Sequence, residues 1–222
     1  MTAARRRALA LVAIVAGSLA LRLVSPWIEA IGAATGAVCV WLAAVSDPWT
    51  WPIGIANNLL YFVVFWRSKL YADALLQLVY VAISVYGIWR WRGGGGHVRP
   101  VERGSRKEIA AVGVAVAIST LVLWRLLGAA TDSDVPQWDG LTTSMSLGAQ
   151  WLMSRRIFEN WHLWIAVDLV YVPLYLYKGL YVTAGLYAFF MALCALGLRD
   201  WRRELAAGEA ARGAAAVAAS TQ

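Results

Sequence analysis

Histidine and cysteine are almost missing from this chain, with two of each among 222 residues. His97 sits in a glycine-rich stretch and His162 at a predicted helix start, too few and too scattered to ligate haem across helices or to build a zinc site. Cys39 and Cys194 each lie inside an apolar run, where cysteine packs as a small hydrophobe, so neither a disulfide nor a metal centre is expected. No clustered Asp-x-x-x-Asp motif occurs, which leaves an integral membrane enzyme acting on a lipid or prenyl substrate without a reactive centre. No enzyme activity and no cofactor are therefore expected. Acidic charge is also scarce: 13 acidic residues stand against 20 basic ones, a net charge of +7. The basic residues cluster between apolar segments instead of forming a stripe interleaved with aromatics, which argues against a nucleic-acid partner.

What the chain has in abundance is apolar surface. Hydrophobic residues make up 60% and charged ones only 15%, with thirteen tryptophans, more than one soluble core of this size can hide. An integral membrane protein follows. Eight segments are long and apolar enough to span a bilayer: roughly 8–25, 28–46, 51–66, 70–90, 109–128, 139–157, 161–177 and 180–200. Arg5, Arg6 and Arg7 before the first run imitate a secretory signal, but Arg22 and Ser25-Pro26-Trp27 lead at once into the next apolar segment. We read an uncleaved first span.

Residues 29–91 reappear without a gap as residues 139–201, a shift of 110 positions. The matches that carry weight are Trp41 with Trp151, Trp51 with Trp161, Tyr61 with Tyr171, Tyr71 with Tyr181, Gly87 with Gly197 and Trp91 with Trp201. One helix, 109–128, lies between two three-helix units and restores the orientation of the second, so the repeats should be parallel. The expected fold is all-α: two parallel three-helix repeats joined by a linker helix, plus one extra N-terminal transmembrane helix. The corresponding boundaries are 1–27 for the arm and extra helix, 28–92 for the first repeat, 93–128 for a glycine-rich loop and linker helix, 129–203 for the second repeat and 204–222 for a tail. Lysine and arginine concentrate in the Arg5–Arg7 cluster, the 90–107 linker, Arg155-Arg156 and the stretch from Arg199 to Arg212, which places both termini in the cytoplasm. Gly93–Gly96 reads as a flexible linker and the alanine-rich tail as a frayed helix.

A polar side chain inside a span faces the bundle or a wet cavity, because a partnerless one in hydrocarbon is costly. In segment 161–177, Trp161, Trp164, Asp168, Tyr171 and Tyr175 fall at i, i+3, i+7, i+10 and i+14, one helix face. Two indoles beside a carboxylate suit a planar or cationic ligand. The matching face of the first repeat holds Trp51, Asn58, Tyr61 and Phe65, with Asn58 in the place of Asp168. Asp73, Gln77, Tyr80 and Ser84 form a polar stripe on the next helix, whose counterpart Thr183, Tyr187, Phe190 and Cys194 is much less polar. Gln150, with Thr143 and Ser146, marks the first helix of the second repeat.

The stretches Trp51-Pro-Ile-Gly-Ile-Ala-Asn-Asn58, Leu70-Tyr-Ala-Asp-Ala-Leu-Leu-Gln77 and Val85-Tyr-Gly-Ile-Trp-Arg-Trp91 resemble the first half of the PnuC family of bacterial vitamin transporters. Gln150-Trp-Leu-Met153, Glu159-Asn-Trp-His-Leu-Trp164, Asp168 and Leu174-Tyr-Leu-Tyr-Lys-Gly-Leu-Tyr181 resemble the second half. The resemblance implies a three-plus-one-plus-three core similar to sugar transporters of the SWEET type. It implies facilitated diffusion of nicotinamide riboside across the bacterial inner membrane, with thiamine or riboflavin as alternatives. A cytoplasmic vitamin kinase would trap the product, and the active form is either a monomer or a homotrimer. Trp161 and Trp164 would sandwich the base, with Asp168, Asn58, Gln77 and Gln150 on the sugar or carboxamide. Trp51, Asp73 and Tyr171 complete the candidate set. The family carries asparagine where this chain has Asp168, a departure that bears on which vitamin is carried. Proton coupling through Asp73 or Asp168 is the remaining variant of the mechanism.

Overall fold

The computed structural model describes residues 2–21, 27–67, 71–92, 98–131, 135–177, 179 and 181–220. Among these, eight helices form: α1 (Ala3–Leu21), α2 (Trp27–Ala44), α3 (Thr50–Arg67), α4 (Tyr71–Trp91), α5 (Arg106–Ala130), α6 (Pro136–Ser154), α7 (Asn160–Tyr177) and α8 (Tyr181–Ser220). They fall on the eight expected segments. The expected glycine hinge at 93–96 and the acidic residues Asp132 and Asp134 lie outside the described residues.

Of the described helical stretches, Ala74–Trp91, Arg106–Ala130 and Thr183–Ala214 are long and apolar enough to cross a membrane, and Ala30–Ala44 is a shorter apolar one. The other helices are diluted by polar residues: three arginines open α1, and α6 carries Gln137, Asp139, Thr142, Thr143, Ser144 and Gln150. Those polar residues are what a protein-facing helix can afford and a lipid-facing one cannot. α5 is the opposite case, with no buried residue along its 25 positions.

The helices divide into two compact units, Met1–Arg99 and Pro100–Gln222. In the first, α1 packs on α2, α2 on α3 and α3 on α4; in the second, α5 packs on α6, α6 on α7 and α7 on α8. Sequential antiparallel packing is what short connections impose.

The corner between α2 and α3 and the corner between α6 and α7 have the same build. Ser46 (φ 56°) and Arg156 (φ 59°) both adopt the left-handed conformation. In each corner the amide after the left-handed residue reaches back to a leucine carbonyl, Asp47 to Leu42 at 2.8 Å and Ile157 to Leu152 at 3.0 Å. This is the Schellman termination, usually made by glycine. A side chain there costs roughly 1–2 kcal/mol, so other contacts must hold it. In the first unit α1 supplies them: Arg6 donates to the Val45 carbonyl at 3.0 Å, and Arg7 pairs with buried Asp47 at 3.5 Å. In the second unit the segment before α5 does so, with Glu102 N–H on the Arg156 carbonyl at 3.0 Å and Phe158 N–H on the Glu102 carbonyl at 2.9 Å.

The tail differs from the frayed helix expected for 204–222: α8 runs unbroken to Ser220. Its C-terminal part docks, through Glu204 on Arg156 and Glu209 on Arg103.

Candidate functional site

Of the candidate residues, Trp51, Asn58, Asp73 and Gln77 belong to the first unit and Gln150, Trp161, Trp164, Asp168 and Tyr171 to the second. In the first unit Trp51 is 2% exposed and meets Trp91 edge to face at 5.2 Å. A Cβ on Gly87 would fall 2.7 Å from its ring. Asn57, next to Asn58, is spent on packing: its amide donates to the Gly32 carbonyl at 2.8 Å and to the Thr35 hydroxyl at 2.6 Å. Asn58 and Gln77 are half-buried. Asp73 lies in the first turn of α4, and its side chain is outside the described residues.

In the second unit the aromatic and acidic face of α7 turns toward α8. Tyr187, Phe190, Cys194, Gly197 and Trp201 repeat on α8 the i, i+3, i+7, i+10, i+14 spacing of α7, running the other way. Trp161 is fully buried, edge to face with Trp201 at 5.5 Å, and Gly197 leaves room for its ring. Asp168, 4% exposed, accepts its one hydrogen bond among the described residues from the Cys194 thiol at 3.7 Å. Tyr171, Tyr175 and Tyr187 gather their rings within 4.6 to 5.4 Å of one another, and Phe190 meets Tyr187 edge to face. Trp164 is half-buried, and its indole Nε1–H is buried without a hydrogen-bond partner. Gln150 is half-buried on α6.

Trp161 and Trp164 share a face by spacing, yet their surroundings differ. Both indole donors are buried without a hydrogen-bond partner, but Trp161 is fully enclosed against Trp201 and Gly197 whereas Trp164 is only half-buried. Tyr187 and Cys194, passed over because their stripe looked apolar, are the partners of Tyr171 and Asp168. Their spacing, identical to that of α7, was the available signal.

A carboxylate buried in a span normally faces a cation, since its desolvation is otherwise uncompensated. Among the described residues Asp168 has none, and Tyr171 and Tyr187 lie near it. An acid beside stacked phenols, with a half-buried indole on the same helix face, is the kind of lining that suits a small flat molecule carrying positive charge and hydrogen-bonding groups. An open cleft of about 610 Å³ elsewhere, beside Lys107, Glu108, Trp151 and Arg155, contains none of the candidate residues.

In the corner between α6 and α7, the guanidinium of Arg156 is buried. Burial lowers its pKa from the ordinary arginine value, and the Glu204 carboxylate opposes that shift. The same guanidinium lies 5.1 Å over the Trp201 ring.

Apolar helices, three of them long enough to span a bilayer, with an acid buried beside tyrosines, mark a multi-pass membrane protein. Residues 26–203 match the family described as nicotinamide mononucleotide transporter, and the chain belongs to that family. It is 25% identical over 211 residues to the nicotinamide riboside transporter PnuC of Escherichia coli K12, covering 79% of this chain and 84% of that one. It is 29% identical over 181 residues to the riboflavin/roseoflavin transporter RibM of Streptomyces davaonensis, with the same coverage. A solved structure described as the vitamin B3 transporter PnuC has the same fold, with a TM-score of 0.69 and 23% identity over 92% of this chain and 93% of that one.

Proposed function

We propose that this chain carries nicotinamide riboside across the bacterial inner membrane by facilitated diffusion. The observation that carries this reading is Asp168: a buried acid with no cation of its own among the described residues, beside Tyr171 and close to the Tyr175–Tyr187 cluster. The pyridinium of nicotinamide riboside supplies the missing charge, and cation–ring attraction adds roughly 1–2 kcal/mol when the site is dry. Trp164 stacks on the base and offers its Nε1–H to the carboxamide. Trp161, enclosed by Gly197 and Trp201, holds the start of α7 from behind. Asn58, Gln77 and Gln150 supply hydrogen bonds to the sugar, with Asp73 and Trp51 nearer the ends of their helices. Two three-helix repeats rock to expose the substrate to each side in turn, with both termini cytoplasmic and a vitamin kinase trapping the product. The proposed limits are 28–92 for the first repeat, 93–128 for the loop and linker helix and 129–203 for the second repeat.

The RibM relative favours a second reading, riboflavin, whose ring system is neutral. Charge separates the two. Binding measured by tryptophan quenching should be lost for nicotinamide riboside in Asp168→Asn by about tenfold or more, equivalent to ~1.4 kcal/mol, with riboflavin unaffected. Equal losses for both vitamins would remove the charge argument, and wild-type quenching by riboflavin alone would transfer the assignment to it.

A further inference from the structure

A chain of contacts runs from the cytoplasmic end of α8 to the first turn of α7. Glu204 pairs with Arg156, whose side chain is 1% exposed. The Arg156 guanidinium covers the Trp201 ring at 5.1 Å. Trp201 meets Trp161 edge to face at 5.5 Å, and Gly197 leaves no space for Trp161 to shift sideways. Trp161 opens the helix that carries Trp164 and Asp168. The strained corner at Arg156 joins this chain, because the residue held left-handed is also the residue that reaches Glu204. Interiors are close-packed, so a displacement at one link is passed on and not absorbed.

The equivalent position of the first unit, Ser46, has no such reach. Its corner is held instead by α1, through Arg6 and Arg7. Each unit therefore anchors its corner with an element beyond the matched 63-residue segment, and in the second the contacts continue through Trp201 to the helix bearing the acid.

We propose that Arg156 and Glu204 are positioning residues for substrate binding, acting through Trp201 and Trp161 on the placement of Trp164 and Asp168. The cytoplasmic extension of α8 is thereby part of the transport apparatus. The inference rests on the functional reading above only for the identity of the substrate.

The test compares full-length wild type, Glu204→Gln, Glu204→Asp and Glu209→Gln in proteoliposomes. Glu209 is the control, since its pair with Arg103 is exposed on both sides, 61% and 51%. Two quantities are read: the concentration dependence of nicotinamide riboside uptake, normalised to folded protein, and hydrogen–deuterium exchange over residues 155–168. Removing the carboxylate that faces buried Arg156 should raise the half-saturation concentration of Glu204→Gln about tenfold, leave its maximal rate within about twofold, and speed exchange over 155–168. Glu204→Asp should recover most of the affinity, and Glu209→Gln should match wild type. An unchanged half-saturation in Glu204→Gln overturns the proposal, as does an effect shared equally by Glu209→Gln. Exchange needs no substrate: if wild type moves no nicotinamide riboside, the functional reading fails, while exchange unaltered over 161–168 in Glu204→Gln refutes the relay and faster exchange there supports it.

Discussion

Glycine 197 and glycine 87 stand in for side chains that the neighbouring indoles replace. A Cβ at Gly197 would lie 2.6 Å from Cε2 of Trp161, and one at Gly87 lies 2.7 Å from Trp51. Both indoles are enclosed, so neither can step aside cheaply. Overpacking of this kind costs about 1–3 kcal/mol. Thermal unfolding in detergent should accordingly find Gly197→Ala and Gly87→Ala less stable, while Gly113→Ala, whose Cβ meets nothing within 4 Å, gains from the higher helix propensity of alanine. Equal behaviour of all three would mean that the ring–glycine contacts do not limit stability. The repeat identities at these positions were readable as matches of sequence. That they form one packing unit, tryptophan on glycine against tryptophan, was not, because Trp51 and Gly87 lie 36 positions apart and on different helices.

The helices themselves are legible element by element, since apolar length and the 3.6-residue period are local properties. Their terminations are less so. Ser46 and Arg156 carry no glycine signal, and only the hydrogen bonds to Leu42 and Leu152 reveal the motif. Around the first corner, Asp47 both accepts the Trp49 amide at 3.1 Å and pairs with Arg7 at 3.5 Å. The magnitudes rank these two roles. Loss of a capping carboxylate costs about 1–2 kcal/mol, whereas an ion pair whose arginine is 42% exposed contributes only about 0–1 kcal/mol after screening. Asp47→Ala should therefore lower stability clearly more than Arg7→Ala in the same unfolding assay. The reverse order would make α1 the chief support of the corner. The extension of α8 was expected as a frayed tail because its alanine-rich composition has no apolar stripe to bury. Its docking includes buried Leu205 and the single pairs of Glu204 and Glu209, which periodicity does not register.

For the molecule as a whole, the transport reading demands neither ion nor nucleotide. Uptake of radiolabelled nicotinamide riboside into proteoliposomes should stop when inside and outside concentrations are equal, and collapsing a pH gradient should not change that end point. Accumulation beyond equality, abolished with the gradient, would assign proton coupling and revive Asp168 or Asp73 as its carrier.

Composition and periodicity by themselves determined that this is a helical membrane protein, where its helices fall, and which face of α7 is polar, because these follow from hydropathy and helical geometry along a single segment. The motifs around Trp51 and Trp161 were enough for the family. Only tertiary structure decided how that face is divided: Trp161 fully buried against Trp201 and Gly197, Asp168 against Cys194, Trp164 only half-buried. Residues on one face share an orientation by geometry, but whether each meets a partner side chain or stays unsatisfied depends on the neighbouring helix, and that is a property of packing.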